Sequence, residues 1–126
     1  MKNMPRISEA EWEIMKIIWK ENPITSEEIL EALSGKKDWT VQTVKTFLNR
    51  LVNKHAIGYT KSGRNYMYTP VILEKDCIMA ESRSFLQRVY NGALGRLFSN
   101  YLEDETLSEE EIDNLQRILL RKKKGK

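Results

Sequence analysis

In the stretch TVQTVKTFLNRLVNK, residues 40 to 54, Gln42, Thr43, Thr46, Asn49, Arg50 and Asn53 fall on one side of a helix, with Lys45 and Lys54 at its margins. Val41, Val44, Phe47, Leu48, Leu51 and Val52 fall on the other side. Amide, hydroxyl and guanidinium groups in such an array can hydrogen-bond the edges of base pairs. Gln and Asn offer a paired donor and acceptor to adenine, Lys and Arg donate to guanine, and a threonine methyl can meet the methyl of thymine. A carboxylate would be repelled by phosphate, and the polar side of this helix has none. Lys45 and Lys54 are spaced for the two phosphate walls of a groove, while Lys61 and Arg64, farther along, can follow the backbone or enter a minor groove.

Other chemistries do not find their residues. The single histidine, His55, and the single cysteine, Cys77, exclude an internal disulfide and any cysteine-based metal cluster. No nucleophile elbow, phosphate-binding loop, GxGxxG or HExxH occurs, so no catalytic residue, metal ligand or cofactor is assigned. Tyr66 and Tyr68 can stack single-stranded bases, but alternating tyrosines are expected to pack a small hairpin onto its helices. The acidic run from Glu103 to Asp113 fits the charge preference of a helix start better than a metal-dependent nuclease.

Charge is segregated along the 126 residues, which are 31% charged and 40% apolar, with a net charge of +3. Between residues 36 and 75, Lys36, Lys37, Lys45, Arg50, Lys54, Lys61, Arg64 and Lys75 face only Asp38 and Glu74. After residue 102, Glu103, Asp104, Glu105, Glu109, Glu110, Glu111 and Asp113 dominate. A basic centre beside an acidic region suggests two tasks on one chain. No apolar run reaches the ~18 residues that span a bilayer, and MKNMPRISEAEWE has no signal-peptide core. A cytoplasmic protein without membrane insertion is therefore expected.

The helices that must position these residues are marked at their first turns. Ser8 with Glu11, Thr25 with Glu28, and Ser108 with Glu111 have the capping-box spacing, and Thr40 opens the helix of the first-quoted stretch with Thr43 in place of a carboxylate. Apolar staples accompany them: Ile7 with Trp12, Ile24 with Ile29, Trp39 with Val44, and Leu107 with Ile112. The spacing predicts a first helix over about 9–21 with Trp12, Ile14, Met15, Ile18 and Trp19 on one face, and a second over about 26–34 that stops at Gly35. After the third helix, Ile57, Tyr59, Tyr66 and Tyr68 alternate around KSGRN as in a two-stranded hairpin. Three helices and a hairpin in this order make a winged helix-turn-helix, assigned to residues 1–72 of a mainly α chain.

Residues 73–126 read as helical. One long helix carries Phe85, Leu86, Val89 and Tyr90 as its apolar stripe and stops at Gly92; two shorter ones carry Leu94, Leu97, Phe98, Tyr101 and Leu102, then Ile112, Leu115, Ile118 and Leu119. Three helices of this size cannot enclose these side chains alone, and a second copy would complete their core. All but Tyr90 and Ile118 are assigned to that homodimer contact. The closing RKKKGK is expected to fray.

With the elements placed, the chain resembles the penicillinase repressor family of Gram-positive bacteria, the BlaI/MecI-type regulators. ISEAEWEIMKIIW, DWTVQTVKTFLNRLVNK, YMYTP, SFLQRVYNGALGRLFSNYLE and LSEEEIDNLQRIL carry the likeness, in order, along nearly the whole length. The resemblance implies a dimeric, non-enzymatic transcriptional repressor of antibiotic-resistance genes, whose winged domains bind the halves of a palindromic double-stranded operator and whose C-terminal helices intertwine. It also implies that a membrane sensor-transducer of β-lactams ends repression through cleavage at an Asn-Phe bond; the matching pair is Asn100 and Tyr101. Positions commonly Pro, Lys and Arg in the third helix are Val41, Gln42 and Lys45 here, which shifts the expected base preference. His55 stands where some members have Gly, and the cysteine motif of the related copper-responsive repressors is absent.

On this reading Gln42, Thr43, Lys45 and Thr46 lie nearest the bases, while Asn49, Arg50, Lys54, Lys61 and Arg64 hold phosphates. The alternative that the fold alone allows is a winged-helix adaptor that binds proteins, its polar helix face merely solvated.

Overall fold

Helix starts fall where the sequence caps them. Ser8 Oγ accepts from the Glu11 N–H at 3.2 Å while the Ser8 N–H donates to Glu11 Oε1 at 2.9 Å. Thr25 and Glu28 repeat this box, as do Ser108 and Glu111, and Thr40 Oγ1 accepts from the Thr43 N–H at 3.2 Å. A cap of this kind is worth about 1 kcal/mol. The resulting elements, in a computed structural model that describes residues 4–125, are α1 (Glu9–Lys20), α2 (Ser26–Ala32), α3 (Val41–Asn53), β1 (Ile57–Ser62), β2 (Asn65–Pro70), α4 (Glu74–Tyr90), α5 (Leu94–Asp104) and α6 (Glu109–Gly125). Helix, helix, helix and hairpin make the winged helix-turn-helix, and three more helices follow.

Packing divides the chain into two units that meet inside α4, between Glu81 and Ser82. The boundary expected after residue 72 lies earlier. Cys77 accounts for the difference, because its burial places the first turns of α4 in the core of the first unit.

That core gathers Ile14, Met15 and Ile18 from α1, Ile29 from α2, Val44, Leu48 and Leu51 from α3, and Ile57 from β1. Trp39 lies against Phe47, ring centroids 5.1 Å apart, so its aromatic partner sits two turns into α3. The hairpin is antiparallel, with Tyr59 opposite Tyr68 and Lys61 opposite Tyr66. The Tyr68 N–H donates to Ile24 O at 2.8 Å and the Ile24 N–H to Tyr68 O at 3.1 Å, which fixes the wing to the segment ahead of α2. Tyr68 is buried, as the packing expectation requires, whereas Tyr66 is exposed and stacks on Tyr59 at 4.8 Å.

The end of α3 carries local strain. The Ala56 N–H donates to Leu51 O and the His55 N–H to Val52 O, both at 2.9 Å, forming a Schellman turn in which His55 takes φ 63°. A side chain with a Cβ pays for that left-handed conformation, and His55 is exposed. His55→Gly is expected to raise stability by about 1 kcal/mol, read as a higher urea midpoint at unchanged slope.

In the second unit no described residue from Ser82 onward is buried. Asn91 and Gly92, at φ 52° and 84°, end α4. The lysine-rich tail expected to fray is helical through Gly125. Lys122, Lys123 and Lys124 in the last turn and Glu109, Glu110 and Glu111 in the first complement the helix dipole at both ends, which favours the longer helix.

Candidate nucleic-acid interface

Because Val44, Leu48 and Leu51 anchor α3 in the core, its opposite face is turned outward, and Gln42, Lys45, Thr46, Asn49 and Arg50 are exposed. The hairpin stands beside this face. Between them lies an open cleft of about 370 Å³, lined by Gln42, Lys45 and Asn49 from α3, by Lys61, Arg64, Asn65 and Tyr66 from the hairpin, and by Ser26, Glu27 and Tyr68. Helix and wing residues separated in sequence therefore form one polar, basic surface. Among the described residues no carboxylate is within ion-pair distance of Lys45, Arg50, Lys61 or Arg64, so their charges are available to an anion.

Individual groups are restricted in informative ways. Thr46 Oγ1 donates to Gln42 O at 3.0 Å, so its hydroxyl proton is committed to the helix and it can only accept from, or touch, a base. Thr43 is half-buried, with its hydroxyl 3.2 Å from that of Thr40. The Arg50 guanidinium lies 5.5 Å from the Phe47 ring centroid and the Lys61 ammonium 5.9 Å from that of Tyr66, cation–ring contacts that pre-position both charges. Burial first, then the neighbouring Tyr59, Tyr66 and Glu27, push the Tyr68 phenol above its ordinary value, so it stays protonated at neutral pH.

The structure corrects one expected site residue. Lys54 does not join the cleft: its Nζ lies 2.5 Å from Glu11 Oε1 and donates to Arg6 O at 2.7 Å. Glu11 is 1% exposed. Burial raises its carboxyl pKa, but the bonds from Lys54 and Ser8 together outweigh that and hold it below the ordinary value. A buried carboxylate captures the nearest ammonium, since leaving it alone would cost several kcal/mol. The sequence did carry the signal, because Glu11 stands three, four and seven residues before Ile14, Met15 and Ile18, on their buried arc. Glu27, Asn65 and Tyr66 are cleft residues that helix periodicity could not supply. The acid-free surface expected from α3 has one acid at its rim, from the first turn of α2, where the dipole favours carboxylates.

Of the apolar residues assigned to a homodimer, Phe85, Leu86 and Leu97 are half-buried, and Val89, Leu94, Phe98, Tyr101, Leu102, Ile112, Leu115 and Leu119 are exposed. Asn100 and Tyr101 lie on α5, where Asn100 Nδ2 donates to Tyr90 Oη at 3.1 Å. Among the described residues, no group of His, Cys, Asp and Glu is arranged to hold a metal ion, and no helix is long and apolar enough to cross a membrane.

Comparison with known proteins places this geometry. The family model described as penicillinase repressor matches residues 7–121. The penicillinase repressor of Bacillus licheniformis is 46% identical over 119 residues, covering 94% of this chain and 93% of that protein. The methicillin resistance regulatory protein MecI of Staphylococcus aureus (strain N315) is 36% identical over 116 residues, with 92% and 94% coverage. Among solved structures, the monomeric form of BlaI from Bacillus licheniformis in complex with the blaP half-operator superposes with a TM-score of 0.52 at 45% identity, over 60% of this chain and 93% of that one. With the model match spanning both units and these identities along more than nine-tenths of its length, the chain belongs to the penicillinase repressor family.

Proposed function

We propose that this protein is a dimeric, non-enzymatic transcriptional repressor that lays α3 of each copy into the major groove of a palindromic operator, with the wing along the flanking backbone. The observation that carries this reading is the cleft in which Gln42, Lys45 and Asn49 of α3 meet Lys61 and Arg64 of the wing. Gln42, Thr43, Lys45 and Thr46 lie nearest the bases; Asn49, Arg50, Lys61 and Arg64 contact phosphates. The half-operator complex of a 45% identical relative supports the same use of this unit.

Dimerisation rests on the exposed apolar side chains of α4, α5 and α6; among the described residues none from Ser82 onward is buried. Relief of repression is assigned to cleavage between Asn100 and Tyr101 by a protease on the pathway of a membrane sensor-transducer, with resistance genes as the controlled output.

A gel shift on the region upstream of its own gene, with excess unrelated duplex as competitor, tests the reading. A shifted band that survives the competitor is expected; a band lost to it favours a protein-binding adaptor. Within the site, Gln42→Ala is expected to cost about 1–3 kcal/mol per half-site and to relax base preference, whereas Arg64→Ala should weaken all sequences alike and lower the salt slope by about 1 per protomer. Titrations on operator and scrambled duplexes at two or more salt concentrations read both effects.

A further inference from the structure

Glu27 is the one acid among the described residues that line the cleft between α3 and the wing. Helix α2 does not need it for its start, because Glu28 already supplies the carboxylate of the capping box and accepts from the Thr25 N–H at 3.0 Å. A second acid in an exposed first turn adds little. Glu27 Oε1 accepts from the Ser26 hydroxyl at 3.1 Å, and among the described residues no cation lies within ion-pair distance of it. Lys45, Lys61 and Arg64 share the cleft without pairing with it. Most of the acceptor capacity of this carboxylate is therefore open.

A duplex entering the cleft removes water from that carboxylate, and an anion left without a partner near phosphates opposes binding. Only some base pairs offer it a partner. In the major groove the N4 amino group of cytosine and the N6 amino group of adenine donate, whereas guanine O6 and thymine O4 are acceptors that repel an acid. Adenine also presents the acceptor N7 beside its amino group, a pair that suits an amide. Cytosine is the match for a carboxylate.

We propose that Glu27 is a specificity-determining residue of the operator site, accepting a hydrogen bond from the N4 amino group of a cytosine next to the base pair that Gln42 reads; this rests on the reading above that α3 enters the major groove. Gln42, the second residue of α3, lines the same cleft, so acid and amide approach neighbouring bases. The carboxylate also works against other sequences. Opposite guanine or thymine it is desolvated and repelled, so selectivity comes from an attraction and a penalty at one position.

Selection from a pool of duplexes with randomised cores tests the assignment, using the full chain as parent, Glu27→Ala and Glu27→Gln, followed by titration on the parent's selected duplex and on a scrambled one. Glu27 is exposed and the capping box of α2 stays intact, so both variants keep the fold. The parent should select a cytosine that Glu27→Ala no longer selects, with the other positions unchanged. Glu27→Ala should bind the selected duplex about tenfold more weakly and the scrambled one about threefold more tightly. Glu27→Gln should exchange that cytosine for adenine, because an amide pairs with N6 and N7 together. If both variants select the parent's sequence and tighten on both duplexes by one factor, Glu27 only repels phosphate; unchanged selection and affinities place it off the DNA. Either result overturns the proposal while DNA recognition stands. A parent chain that selects no sequence overturns the reading on which the proposal rests.

Discussion

Phe98→Asp is expected to convert the protein to monomers and to weaken operator binding about 10²- to 10⁴-fold. In one copy Phe98 is 43% exposed, so a carboxylate there costs little and the first unit, which has its own core, remains folded. Between two copies the same carboxylate would be buried without a partner, at a cost of several kcal/mol that the contact cannot absorb. Operator affinity then falls because binding of the second wing, effectively intramolecular in the dimer, becomes a separate event at the free protein concentration. Sedimentation and duplex titration on the same sample read both effects. A variant that keeps dimer mass and full affinity would remove Phe98 from the contact.

Lys54→Met should destabilise the first unit by about 3–5 kcal/mol, because it leaves Glu11 buried and charged without its counterion. An exposed phosphate-binding lysine would give a change within about 0.5 kcal/mol, so the experiment separates the two roles open to this residue. Adding Glu11→Gln should recover much of the loss, since a glutamine can keep the capping box without a charge to desolvate.

The pH dependence has a definite sign. In the parent the folded pKa of Glu11 lies below its ordinary value of 4.5, so its contribution is present above that value and is lost as pH falls through the folded pKa. With Lys54 gone, two of the causes that lower the carboxyl pKa are lost while burial still opposes the charge, so the folded pKa rises relative to the parent and less stability is lost on acidification. Urea midpoints across pH 3 to 7 should fall less steeply on acidification in the variant than in the parent.

Legibility from sequence followed the range of the interactions. Capping boxes, the two-sided α3 and the hairpin around KSGRN depend on neighbours within a few positions, and they appear where the pattern puts them. The membership of the cleft depends on how α2 and the hairpin dock against α3. Glu27, Asn65 and Tyr66 enter it, and Lys54 leaves it, through contacts that no single periodicity encodes. Glu11 is the intermediate case: its position on the buried arc of α1 was readable, but its partner is 43 residues away. The continuation of α6 through its lysines was missed because a charged tail and a dipole-matched helix end have the same composition.

The account depends on two copies setting basic cleft surfaces against one duplex, and the salt dependence of binding tests that most directly. Lys45, Arg50, Lys61 and Arg64 supply four cations in each chain. If each neutralises a phosphate, the logarithm of operator affinity falls against the logarithm of salt concentration with a slope of about −7. A slope near −1 in the same titration would mean that these side chains do not meet the phosphate backbone, and would contradict the account.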